Sequence, residues 1–223
     1  MLLVHSGVTD ASMWDGFEVP GAERHEMRGF GQTPMPDEGT FSHADDLEDA
    51  LGGQPAALVG SSFGGAVCLE VAARSPDLVT ELVLLCAPLP DHDWSQEVID
   101  FAEEEDRLLE EGDLDGATEL NVRFWAPGVA DVVGPMQRRS FELQIASGAE
   151  EDEGPESIDL SAVRARTLVA VGEQDKPDFH AIAERIAREV PGAEHALIPG
   201  AGHLPSLERP DETARLVREF LGM

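Results

Sequence analysis

Three side chains in this sequence have the types and the placement for nucleophilic catalysis. Ser62 stands in Gly60-Ser61-Ser62-Phe63-Gly64, a Gly-x-Ser-x-Gly corner between the apolar run Ala56-Ala57-Leu58-Val59 and the helical spacing of residues 66–74. Glycines let a chain turn tightly, so a strand, this corner and a helix form a nucleophile elbow with a hydroxyl at its tip. Asp175 follows the strand-like TLVAV (167–171), and His203 follows EHALI (194–198) in a glycine-rich loop. In an open parallel sheet ligands bind beyond the carboxyl ends of the strands, where the three residues would meet. A serine hydroxyl is a weak nucleophile until a base takes its proton, and imidazole titrates near neutral pH. Asp175 would hold the tautomer of His203 and stabilise its cation. The developing oxyanion needs fixed donors, and one is the backbone N–H of Phe63, directly after the serine.

The elements that must position these residues alternate along the chain. Strand candidates are 2–5, 23–27, 56–60, 82–86, 167–171 and 194–198, with helical patterns over 42–51, 65–74, 178–189 and 210–221. This alternation predicts an α/β fold, a parallel sheet covered on both faces. The acidic block from about Asp91 to Leu160 breaks it with helical periodicity alone. We read residues 91–160 as a helical insertion between core segments 1–90 and 161–223, with 148–157 as its exposed return loop.

Six ordered segments are similar to those of the α/β-hydrolase superfamily: LLVHSGVTDASMW, MRGFGQT, GSSFGG, LCAP, VGEQD and GAGHLPSLERPDE. The resemblance runs over nearly the whole chain and keeps the order Ser62, Asp175, His203. It implies the α/β-hydrolase fold, a catalytic triad, a helical cap after LCAP, and Gly7 as the second oxyanion donor. Val8 is the adjacent alternative, because Ser6 stands where the family carries glycine after the loop histidine. The family's usual first two strands have no counterpart before LLVH, so six parallel strands are expected, with 22–27 at an exposed, charged edge. The implied function is a carboxylesterase-like serine hydrolase cleaving a small ester or lactone through an acyl-enzyme. A carbon–carbon bond hydrolase or lyase uses the same scaffold, and a non-catalytic relative would bind a small ligand in the same cleft. Serine at the elbow, in place of aspartate, speaks against dehalogenase or epoxide hydrolase chemistry.

Other groups read as structural. Asp178 is the alternative acid but resembles a helix-start residue, Ser61 shapes the turn, and His5 bridges the oxyanion loop to neighbouring turns. His43, His92, His180 and His195 have no ligand-like neighbours in sequence, so no cofactor and no metal is expected. Trp14, Trp94, Phe124 and Trp125 suit the core or a pocket wall. Cys68 and Cys86, the two cysteines, read as small buried apolar residues and make no disulfide framework. The N-terminus has neither a basic region nor a long apolar run, so a cytoplasmic protein is expected, with monomer and homodimer both open.

Charge narrows the partners. The 223 residues carry 45 acidic against 15 basic side chains, a net charge of −30, and Lys176 is the one lysine. Nucleic acids and anionic membranes are repelled by such a surface, which leaves a small-molecule substrate. Self-repulsion among these charges weakens the compact state, and salt screens it, with a Debye length of about 3 Å at 1 M. The melting temperature should therefore rise between low salt and molar NaCl in a thermal scan; a flat or falling curve counts against repulsion.

Overall fold

The computed structural model describes residues 1–152 and 154–223. In chain order the strands are β1 (Leu2–Val4), β2 (Glu23–His25), β3 (Glu38–Phe41), β4 (Ala56–Ser61), β5 (Val79–Leu85), β6 (Gly148–Glu151), β7 (Arg166–Gly172) and β8 (Glu194–Ile198). The helices are α1 (His43–Leu51), α2 (Phe63–Arg74), α3 (Gln96–Glu110), α4 (Leu114–Trp125), α5 (Ala130–Ile145), α6 (Pro177–Glu189), α7 (Pro205–Glu208) and α8 (Pro210–Leu221). Six strands form one sheet in the order β2-β1-β4-β5-β7-β8, and every pairing is parallel. As expected, the segment around residues 22–27 is an edge: among the described residues nothing pairs on the far side of β2. Glu23 and Arg24 are exposed there, and Arg24 pairs with Asp15.

Both faces of the sheet are buried because successive strand side chains point to opposite sides. Val4, Leu58, Leu82, Leu84, Val169 and Val171 join one apolar cluster, which α1, α2 and α6 cover with Leu47, Leu69 and Ile182 among others. Leu3, Val59, Val83, Leu85, Leu168 and Ala170 join the other, covered by Met13 and Trp14 of a short 3-10 helix and by Val217 and Phe220 of α8. This two-sided burial is why these strands read as continuous apolar runs.

Helices α3 to α5 lie between β5 and β7 in sequence and carry an apolar cluster of their own, with Phe101, Leu108, Leu120 and Phe141 buried. Two expectations need correction. The segment after α5 is not simply a loop, because Gly148–Glu151 forms β6 and pairs in parallel with β3. Four-residue strands without alternating apolar residues, EGTF and GAEE, carry no strand signal in sequence. Residue 153 of the expected return loop lies outside the described residues. The second correction is small: α2 begins at Phe63, directly after the elbow serine.

The elbow explains its glycines. A Cβ on Gly64 would overlap the carbonyl oxygen of His5 and lie 2.7 Å from that of Val4. One on Gly60 would lie 2.6 Å from the Gly65 Cα. No rotamer relieves a clash between backbones. Gly64→Ala should therefore lower stability by at least about 2 kcal/mol, as overpacking of a rigid site does. Chemical denaturation checks this, and a change below about 0.5 kcal/mol would show that the backbones can part.

Candidate active site

The residues singled out in sequence meet at the carboxyl end of the sheet. Ser62 sits between β4 and α2 with φ 50° and ψ −121°, a conformation rarely adopted by a residue with a Cβ. Its N–H donates to Leu85 O at 2.8 Å, which fixes the turn against β5. The Ser62 hydroxyl lies 2.9 Å from His203 Nε2, and His203 Nδ1 lies 3.0 and 3.1 Å from the two oxygens of Asp175. With Nδ1–H donating to Asp175, Nε2 is free to accept from the hydroxyl. The side chains of His203 and Asp175 are 5% and 1% exposed, so water competes little for this pair. Burial pushes the Asp175 carboxyl up, but the His203 charge, its hydrogen bond and the Lys176 N–H outweigh that and hold it below the usual carboxylate range.

The histidine is held from several sides. Its ring packs against Phe179 at 4.4 Å and Trp125 at 4.6 Å between centroids. Its loop is tied down by Glu208 of α7, whose carboxylate accepts the N–H groups of Gly202 (2.6 Å) and Leu204 (3.0 Å). This positioning by Glu208 was not anticipated from sequence; a carboxylate five residues after a loop histidine is its only trace there.

Asp178, the alternative acid, is engaged elsewhere. Burial raises its carboxyl, but the backbone N–H and hydroxyl of Ser95 and the His92 ring hold it below its ordinary value. It accepts from both Ser95 groups at 2.8 Å and faces His92 Nε2 at 3.2 Å. It thus pins the start of α3 to α6 and makes no bond to His203. His92 has an acidic neighbour after all, as does His43, 3.5 Å from Glu151.

Gly7 and Phe63 face one another, since a Cβ on Gly7 would lie 3.3 Å from the Phe63 Cβ. Among the described residues neither N–H has a protein acceptor, whereas the Val8 N–H donates to Ser6 Oγ at 3.3 Å. His5 anchors this loop by bridging the Ser6 carbonyl (2.8 Å) and the Met27 N–H (3.1 Å). Ser61 is buried, and among the described residues its hydroxyl has no partner. Cys86 groups with Asp175 and His203, with ligand-capable atoms within 4.8 Å, as a metal site would require. Burial, then the Asp175 charge, pushes its thiol well above the ordinary value, and both His203 nitrogens are already engaged, so this donor set does not suit a metal.

In front of Ser62 lies a cavity of about 270 Å³, bounded by Gly7 and Val8 on one side and by the inserted helices on the other. Phe101, Trp125 and Phe141 give it apolar walls, while Glu105, Asn121 and Gln137 add polar groups that no sequence pattern had marked.

Residues 1–216 match the profile of the Alpha/beta hydrolase family, and the chain belongs to that family. It is 26% identical to 2-hydroxymuconate semialdehyde hydrolase of Pseudomonas putida, over 99% of this chain and 86% of the relative. Carboxylesterase YbfK of Bacillus subtilis is 24% identical, over 99% of this chain and 79% of that one. A thermophilic esterase from Thermogutta terrifontis superposes with a TM-score of 0.77 at 26% identity, covering 99% of this chain and 88% of that chain. Among the described residues no helix is long and apolar enough to cross a membrane.

Burial lowers the pKa of His5 from 6.5 to about 4, and that of His25 also falls. Folded His5 stays neutral while the unfolded chain takes up a proton below pH 6.5. Its contribution is complete above that pH and lost as pH falls toward 4, a change of about 3 kcal/mol at most. Denaturant titrations at pH 7 and pH 4.5 should show a larger loss for the wild-type protein than for His5→Gln. Equal losses would assign the acid sensitivity to other groups.

Proposed function

We propose that the protein is a serine hydrolase that cleaves a small carboxylic ester or lactone through an acyl-enzyme, with Ser62, His203 and Asp175 as its triad. The observation that carries this reading is the unbroken line of hydrogen-bonding atoms from the Ser62 hydroxyl through both nitrogens of His203 to Asp175. His203 takes the proton as Ser62 Oγ attacks the carbonyl carbon, and returns it to the leaving alcohol as the tetrahedral species collapses. Water then repeats the sequence on the acyl-enzyme, with His203 again as base. The N–H groups of Gly7 and Phe63 receive the oxyanion, each worth about 3 kcal/mol in the transition state. Gly7 is preferred to Val8 because the Val8 N–H is already used by Ser6. Residues 91–160 act as the cap that roofs this chemistry.

Similarity to esterases supports this reading. A second reading, hydrolysis of a carbon–carbon bond beside a carbonyl, is favoured by the similarity to the Pseudomonas semialdehyde hydrolase. Short p-nitrophenyl esters and a panel of diketones separate the two, and absence of turnover on both would point to a non-catalytic binding protein. Ser62→Ala should abolish ester turnover and fluorophosphonate labelling, and His203→Ala should lose most turnover. Asp175→Asn should cut kcat by about 10⁴, as loss of the correct tautomer does, while Asp178→Asn should stay within a few-fold of wild type. Full labelling of Ser62→Ala would refute the nucleophile, and the reverse pattern in the aspartates would move the acid to Asp178.

A further inference from the structure

The cavity facing Ser62 has a polar end that the triad does not use. Gln137 of α5 lines it and is 4% exposed, yet among the described residues its side-chain amide makes no hydrogen bond and its Oε1 is fully buried without a partner. Buried amides are nearly always paired, because an unmet donor or acceptor keeps its full desolvation cost. Oε1 itself is closed off from water, so a partner in the cavity is met by the other end of this unpaired amide or after the amide turns over. Its neighbours on the wall are equally particular. Asn121 of α4 is 2% exposed and donates to the Glu105 carboxylate of α3 and to Ala117 O. Gln144 donates to Ser140 Oγ, which itself donates to Gly29 O, so the α5 face is braced against the loop after β2.

The charge of the cavity is as informative as its polarity. Among the described residues that line it there is no lysine or arginine, and its one carboxyl is Glu105. Burial pushes that carboxyl above its ordinary value despite the Asn121 hydrogen bond. The space thus disfavours negative charge even on its own side chain, and an entering carboxylate would meet no counter-ion.

We propose that the substrate is an uncharged ester or lactone bearing an amide or hydroxyl group remote from the scissile carbonyl, which Gln137 recognises, and that plain alkyl and anionic substrates are disfavoured against it. This rests on the serine hydrolase reading and goes beyond it by assigning a specificity residue and a substrate class. An amide or hydroxyl both donates and accepts, so it satisfies Gln137 in either orientation of the side-chain amide. An alkyl chain of the same length leaves Gln137 unpaired, and sites built around such a bond discriminate by tenfold or far more.

The test compares acyl chains of one length as p-nitrophenyl esters: N-acetyl-β-alanine, hexanoate and the adipate half-ester. The acetates of N-(2-hydroxyethyl)acetamide and pentanol place the same groups on the alcohol side. For wild type, kcat/KM should favour the amide over its alkyl counterpart by at least about tenfold on one of the two sides, with adipate slowest. Gln137→Leu and Gln137→Met, checked for folding by thermal transitions, should bring the amide-to-alkyl ratio to about one. Glu105→Gln should raise adipate turnover relative to hexanoate, a readout independent of Gln137. A wild-type preference for alkyl chains, or a ratio unchanged in both Gln137 variants, would overturn the proposal. Failure of every ester together with absence of Ser62 labelling would instead overturn the hydrolase reading, and this one with it.

Discussion

The first turn of α2 runs so close to β1 that two backbones touch at Gly64, and the geometry of the site follows from that contact. β1 delivers His5, Ser6 and Gly7 to the sheet's carboxyl end, and the elbow delivers Ser62 and Phe63 to the same place. Because neither backbone can recede without losing sheet pairing, Gly7 and Phe63 are held face to face. The unfavourable φ of Ser62 persists for the same reason: the β4 ladder, the bond to Leu85 O and the first bonds of α2 over-determine it. Strain at the serine is thus maintained by ordinary strand and helix hydrogen bonds on either side.

The second half of the site depends on charge. Asp175 is buried almost completely and remains an anion because His203 and a backbone N–H compensate its lost hydration. The carboxylate of Glu208 does comparable work for the loop, gathering two N–H groups that a turn of this shape leaves without backbone partners. Other acidic side chains serve loop backbone in the same way nearer the surface: Glu26 takes the N–H groups of Ala11 and Gln32, and Glu173 that of Gly200.

Much of this was legible beforehand where periodicity and loop chemistry are local. The apolar runs of β4, β5 and β7 announce strands buried on both faces, and glycine at positions 60 and 64 announces the close approach. Ser62, Asp175 and His203 could be read because each follows such a run. The pairing of β3 with β6 could not, because their register joins residues more than a hundred positions apart through segments with no apolar alternation. Gln137 and Asn121 were invisible for a different reason. On an amphipathic helix a buried glutamine looks like one more solvated residue until the neighbouring helices are in place.

The β3–β6 pair also bears on the entropy of binding. Together with Ser147 Oγ donating to Pro36 O and Ser140 Oγ donating to Gly29 O, it fastens the end of α5 to the segment that follows β2. The inserted helices are thereby tied to the rest of the protein at both ends, through Asp178 of α6 near the start of α3 and through the β3–β6 pair after α5. Helices fastened in this way have fewer torsions left to freeze when the cavity they line is filled. The conformational cost of ordering them is met during folding, which leaves the ligand's own loss of freedom as the main entropic term of binding.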